Sequence, residues 1–178
     1  MRKLLIIALL PWLFACNQDK NNEVIIGNYT DNLHVVKLVP NIVIPISSNA
    51  KDSLDLDDDN SYDVFFKKSY TPMMTGFIDA TFLGITNGIQ IALSDINNYP
   101  DSLNVGTTID DNLTWTTTSS EDLVLASYAK RSTSYPIGNY RYVIDKYLGF
   151  KIGKRYGWIK LDNAIGDNLI IKEFVISE

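Results

Sequence analysis

Cysteine and histidine each occur once in this chain of 178 residues, as Cys16 and His34, and glutamate occurs only four times. A lone cysteine excludes an intramolecular disulfide. A lone histidine, set in Asn32-Leu33-His34-Val35-Val36, leaves no Cys/His zinc cluster, no HExxH pair and no nucleophile elbow with a triad around it. No glycine-rich loop follows a strand-like run, so the usual phosphate cradle of nucleotide cofactors is missing. Positive charge is scarce too: 16 Lys and Arg stand against 21 Asp and Glu, a formal charge of −5. Such a balance repels phosphate backbones and argues against nucleic acid as a partner. Glu23 lies near the start and Glu178 at the end, so a carboxylate-based glycan hydrolase would have to pair Glu121 or Glu173 with an Asp. Spacing specifies no such pair, which puts an enzyme last among the readings.

No apolar run is long enough to span a bilayer as a helix. The longest, Leu4 to Phe14, follows the positive pair Arg2 and Lys3, as in a secretory signal peptide. Leu13-Phe14-Ala15-Cys16 then resembles a bacterial lipobox, in which the cysteine thiol receives diacylglycerol; Phe14 is bulkier than the usual spacer. Residues 1–15 are therefore expected to be removed. Lipid on Cys16 would tether the rest to a membrane of the cell envelope, with the outer membrane as the expected address. Loss of Arg2 and Lys3 takes the formal charge to −7, so attachment has to come from lipid rather than from attraction to anionic headgroups. Residues 16–23, polar after the cysteine, read as a flexible tether, and 24–178 as one domain.

Within that domain the apolar residues recur with period two in short runs rich in Val, Ile, Tyr, Phe and Thr, separated by Asn, Asp, Gly, Ser and Pro clusters. This predicts an all-β, two-sheet antiparallel sandwich, jelly-roll-like, of about ten short strands. The expected strands are Leu33 to Val39, Ile42 to Ile46, Tyr62 to Ser69, Thr75 to Gly84, Ile89 to Leu93, Leu123 to Ala129, Arg141 to Asp145, Tyr147 to Ile152, Arg155 to Asp162 and Leu169 to Ile176. Ser120-Glu121-Asp122 could equally cap a helix over the sixth of these. Between Tyr147 and Asp162, Gly153-Lys154 suits a two-residue type II′ turn. That turn sets Ile152 opposite Arg155, Phe150 opposite Gly157 and Leu148 opposite Ile159, placing Leu148, Phe150, Ile152, Ile159 and Leu161 on one core face. The other face carries Tyr147, Gly149, Lys151, Tyr156, Trp158 and Lys160, with Trp158 across from Gly149.

The stretch Leu103-Asn104-Val105-Gly106-Thr107-Thr108-Ile109-Asp110, the pair Tyr147-Leu148-Gly149-Phe150-Lys151-Ile152 and Tyr156-Gly157-Trp158-Ile159-Lys160-Leu161, the terminal Ile171 to Glu178 and the Asp-rich segment near residue 57 together carry a likeness. The chain resembles an uncharacterised family of exported β-sandwich proteins found among Bacteroidetes lipoproteins and among proteins with a C-terminal sorting tag. The resemblance implies export and fold, and no activity.

Asp55-Leu56-Asp57-Asp58-Asp59-Asn60-Ser61-Tyr62-Asp63 sets oxygen side chains at alternate positions, Asp55, Asp57, Asp59, Ser61 and Asp63, in a loop entering a strand. Ca²⁺ takes six to eight oxygens, and such a loop can turn several carboxylates onto one ion. The segment resembles the Asp loops of FG-GAP and dockerin-like repeats. It departs from an EF-hand loop, with Phe66 in place of the bidentate Glu and Asn60 in place of the Gly, although Asn tolerates the left-handed turn. A solvated acidic loop without metal is the competing reading.

Tyr147, Tyr156 and Trp158 share a sheet face, and exposed rings there could stack on sugars. Aromatics also fit any pleated surface, and a further layer could cover them. Asp52-Ser53-Leu54 and Asp101-Ser102-Leu103 resemble a short O-glycosylation sequon and read as surface-loop markers. The leading expectation is a non-catalytic, lipid-anchored sandwich that presents a glycan- or protein-binding surface, with Ca²⁺ on the Asp loop. Its rival is a structural envelope lipoprotein docked permanently on a partner subunit.

Overall fold

A computed structural model describes residues 23–46, 49–86, 88–116, 123–130 and 135–178. Cys16, the signal segment, most of the tether and Glu121 lie outside these. The described residues form twelve strands and no helix: β1 (Val24–Ile25), β2 (Leu33–Ile44), β3 (Ala50–Leu54), β4 (Val64–Met73), β5 (Gly76–Ile85), β6 (Ile89–Leu93), β7 (Thr108–Ile109), β8 (Thr114–Trp115), β9 (Leu123–Ala129), β10 (Tyr142–Ile152), β11 (Arg155–Ala164) and β12 (Leu169–Ser177). A six-stranded sheet runs β2-β12-β11-β10-β6-β8, a four-stranded sheet runs β3-β4-β5-β9, and β1 pairs with β7 in a small ribbon. Every ladder is antiparallel, and no sheet closes into a barrel. The all-β sandwich expected from the sequence is what forms.

The strand count differs for local reasons. Leu33 to Val39 and Ile42 to Ile46 fuse into β2, which crosses Pro40. β2 is an edge strand, and Pro40 falls between Lys37 and Ile42 where the pairing with β12 is interrupted, so its missing N–H leaves no ladder bond unmade. Arg141 to Asp145 and Tyr147 to Ile152 fuse into β10 through a bulge between Val143 and Lys146, where Asp145 has φ 51°. Leu123–Ala129 is strand β9 along β5, because its apolar side chains close the four-stranded sheet over the core. β1, β3, β7 and β8 escaped the periodicity reading: three span two residues each, and β3 is built from Ala50-Lys51-Asp52-Ser53-Leu54. The first sequon thus lies on a strand, and Leu54 and Leu103 are buried, so neither tripeptide is a plain surface loop.

The β10–β11 hairpin has the expected register, with Ile152 opposite Arg155, Phe150 opposite Gly157 and Leu148 opposite Ile159. Gly153 has φ 59°, while Lys154 keeps a negative φ, the combination a type II′ turn requires. Leu148, Phe150, Ile159 and Leu161 meet Phe66, Leu83 and Leu125 of the four-stranded sheet in the main core, with Ile152 at its margin. Each such side chain contributes roughly 1.5–3 kcal/mol by leaving water. Gly157 is required there: a Cβ on it would lie 2.4 Å from Phe150 Cζ and 2.2 Å from the Val175 carbonyl oxygen.

Candidate metal centre

The Asp loop joins β3 to β4, and both of its ends are anchored. Leu56 is fully buried in the main core, and its N–H donates to Asp63 Oδ2 at 2.7 Å. Asp63 in turn donates its N–H to the Leu54 carbonyl and accepts from Thr86 N–H at its own carbonyl. A buried leucine in the middle of an acidic stretch forces the flanking Asp55 and Asp57 to turn together. Their carboxylates and that of Asp63 converge, with one oxygen of each within 4.8 Å of the others. Asp55 Oδ1 and Asp57 Oδ1 are buried and accept no hydrogen bond.

Only three of the five expected ligands converge. Asp59 and Ser61 are exposed, and Asp59 Oδ1 accepts from Ser61 N–H at 2.7 Å instead of joining the cluster. The cause is local. Asp58 and Asn60 both adopt left-handed backbone, with φ 60° and 66°, so the strand-like alternation that would aim positions 59 and 61 inward is broken. Asn60 donates its N–H to Asp55 Oδ2 at 2.9 Å, closing the curl.

The loop carries a counter-charge that spacing did not reveal. Arg155, the first residue after the Gly153-Lys154 turn, places Nη2 2.6 Å from Asp57 Oδ2, linking the loop to the hairpin tip of the opposite sheet. His34 Nε2 lies 3.3 Å from Asp58 Oδ2, where both side chains are largely exposed. Arg155 by itself does not balance Asp55, Asp57 and Asp63. Burial raises the Asp63 carboxyl above the ordinary carboxylate range; the Leu56 N–H opposes the rise, and the charges of Asp57, Asp55 and Asp59 add to it. A bound cation would relieve the repulsion and take up the two unpartnered oxygens. Three convergent carboxylates suit a hard, oxygen-seeking ion such as Ca²⁺, with the remaining positions left to carbonyls or water.

The aromatic face is not the open platform that ring stacking on a sugar needs. Tyr147, Tyr156 and Trp158 are 4 %, 5 % and 0 % exposed. They sit in a second core beneath Val24, Ile26, Leu103 and Ile109. The cover is pinned by backbone: Leu103 and Tyr147 exchange N–H···O bonds of 2.9 and 3.2 Å, and the β1–β7 ribbon lies above. Trp158 pairs with Gly149 as expected, but the space over that glycine is taken by Leu103 and Ala92, 3.0 and 3.2 Å from where a Cβ would stand. Tyr29 and Tyr147 meet the Trp158 ring edge-on, and Trp115 tilts against Tyr156. The sugar platform expected at these three rings is corrected to an internal layer.

Glu173 is also buried, and accepts a 2.7 Å hydrogen bond from the Tyr29 hydroxyl. The described groove of about 270 Å³ is lined by Pro136, Asn139, Arg141, Tyr142 and Val143, without a carboxylate. No family model, curated protein or solved structure matches the chain.

Proposed function

We propose that the protein is a non-catalytic, lipid-anchored β-sandwich of the cell envelope, held on its membrane through Cys16, whose Asp55, Asp57 and Asp63 bind one Ca²⁺ and whose surface engages a glycan or protein partner. The observation that carries the metal is the convergence of the Asp55, Asp57 and Asp63 carboxylates, two of which each keep a buried oxygen without a hydrogen bond. Leaving such oxygens without a partner costs about 1–3 kcal/mol each, which a cation would offset. With Tyr147, Tyr156 and Trp158 enclosed, partner recognition falls to the side chains that stay in water. Tyr135, Tyr142 and Ile144, more than two-thirds exposed and bordering or flanking the Pro136–Val143 groove, support placing it there.

The test is thermal unfolding of a soluble form beginning at Asn17, in chelator and in millimolar Ca²⁺, beside Asp57→Asn. Saturation to ~100 times Kd stabilises a native-only site by about 2.7 kcal/mol, a rise of several degrees that Asp57→Asn should abolish or shrink. Superimposable melts in all conditions would refute calcium binding.

A further inference from the structure

A second cluster of polar groups lies wholly inside the sandwich, away from the Asp loop. Lys68 on β4, Asp79 and Thr81 on β5, and Asn163 on β11 are each 0–1 % exposed. Lys68 stands opposite Thr81 in the β4–β5 ladder, and Asn163 reaches across from the other sheet. Lys68 Nζ lies 3.3 Å from Asn163 Oδ1, 3.3 Å from Thr81 Oγ1 and 3.5 Å from Asp79 Oδ1, and it donates to the Ala164 carbonyl at 3.0 Å. The Thr81 hydroxyl donates to Asn163 Oδ1 at 3.1 Å. Asn163 Nδ2 donates to the Tyr140 carbonyl at 2.7 Å, which fixes the amide plane. Asp79 Oδ2 accepts from Gly166 N–H, while Asp79 Oδ1 is buried with no hydrogen bond.

Each component has a chemical use beyond packing. Burial of Lys68 lowers its pKa from the ordinary lysine value, because desolvation disfavours the ammonium and so makes the neutral amine easier to reach; Asp79 opposes that shift but also offers a place for the proton. A neutral amine is a nucleophile. Its target is at hand: with a C=O bond of about 1.23 Å, the Asn163 carbonyl carbon lies no more than about 4.5 Å from Nζ, a small closure away from attack distance. Thr81 polarises that carbonyl and is positioned to steady an oxyanion.

We propose that Lys68 and Asn163 become joined by an intramolecular isopeptide bond that the folded chain forms by itself. The proton balance is complete without any co-reactant. Lys68 transfers a proton to Asp79, and the freed Nζ lone pair attacks Asn163 Cγ. Asp79 delivers its proton to Nδ2 and takes one from Nζ, the Cγ–Nδ2 bond breaks, and ammonia leaves. Nothing is oxidised or reduced, and Asp79 ends protonated beside the new amide. The bond would covalently staple the four-stranded sheet to the six-stranded sheet across residues 95 apart in sequence, in a chain whose single cysteine forbids a disulfide.

Intact-mass measurement and tryptic mapping of the purified wild-type protein test this directly. The expected result is a mass one ammonia below that calculated for the same mature, lipidated chain without the cross-link, with a branched peptide joining the segments around Lys68 and Asn163 and no cleavage after Lys68. Lys68→Met and Asp79→Asn should both restore the full mass. A folded wild-type protein at full mass overturns the proposal, as does ammonia loss that persists in Lys68→Met, which would mark ordinary asparagine cyclisation. Cross-linking that survives unchanged in Asp79→Asn would overturn the proton shuttle assigned to Asp79.

Discussion

The Asp loop and the Lys68 cluster both gather charge from separate strands, yet they resolve it in opposite ways. The loop between β3 and β4 has an excess of carboxylates over its arginine, so its remaining charge is left for an ion. The Lys68 cluster carries one base, one acid, one hydroxyl and one amide in a fully buried interior, with contacts from two sheets converging on a single nitrogen. In the loop, where carboxylates outnumber the arginine, the imbalance makes a candidate ion site. In the buried cluster, charges have to be matched within the chain, and matched reactive groups held still are placed to react.

The sharpest way to break this comparison is to unmatch the interior. Asp79→Ala removes the acid and with it the proposed cross-link, leaving Lys68 a buried amine without its partner, and removal of one member of a buried pair costs about 3–5 kcal/mol. In a domain of this length that amounts to a melting decrease on the order of 10 °C. A loss no larger than that of an exposed Asp→Ala control would mean the interior is wet, and the contrast would fall.

A middle-sized effect separates the loop by pH. The Asp63 carboxyl is raised in the folded state, so the folded protein holds that proton more tightly than the unfolded chain. Its contribution is present below the ordinary carboxylate range and is lost as pH rises through the raised value. The metal-free protein should lose this increment over that window, and the stabilisation added by Ca²⁺ should grow over the same window because the ion binds the deprotonated form. Paired melts with chelator and with Ca²⁺ across the acidic range measure the difference. A calcium increment that stays constant with pH would detach Asp63 from the site.

The smallest effect belongs to the exposed His34–Asp58 contact. Asp58→Asn should change stability by less than about 0.5 kcal/mol and leave any calcium response intact, since Asp58 contacts His34 and is not among the three convergent carboxylates. A large loss of calcium response in that variant would mean the loop rearranges on binding.

Legibility follows the range of the interactions involved. The β10–β11 hairpin could be read residue by residue because a two-residue turn and period-two alternation leave one register that buries Leu148, Phe150, Ile159 and Leu161 together. The Asp loop was readable in kind but not in membership: spacing marked all five oxygens, while two left-handed residues turned Asp59 and Ser61 outward. The Lys68 cluster went unnoticed although a signal for it exists. Lys68 continues the inward series Val64 and Phe66, Thr81 and Asp79 continue Ile85 and Leu83, and Asn163 continues Ile159 and Leu161. Three strands each place polar groups on a core face, and that coincidence is visible only once the strands are known to be neighbours.

Local physics therefore determined, from sequence alone, that this chain is an antiparallel β-protein, which residues of its central hairpin face the core, and that one loop concentrates acid. Those outcomes depend on pleat, turn geometry and charge repulsion, all of which act over a few residues. The tertiary structure alone decided which aromatic face is covered, which aspartates meet, and that a lysine, an aspartate and an asparagine share one buried site. Each of these depends on contacts between segments far apart in the chain, and alternation within a strand tells which residues share a face but not what will cover it.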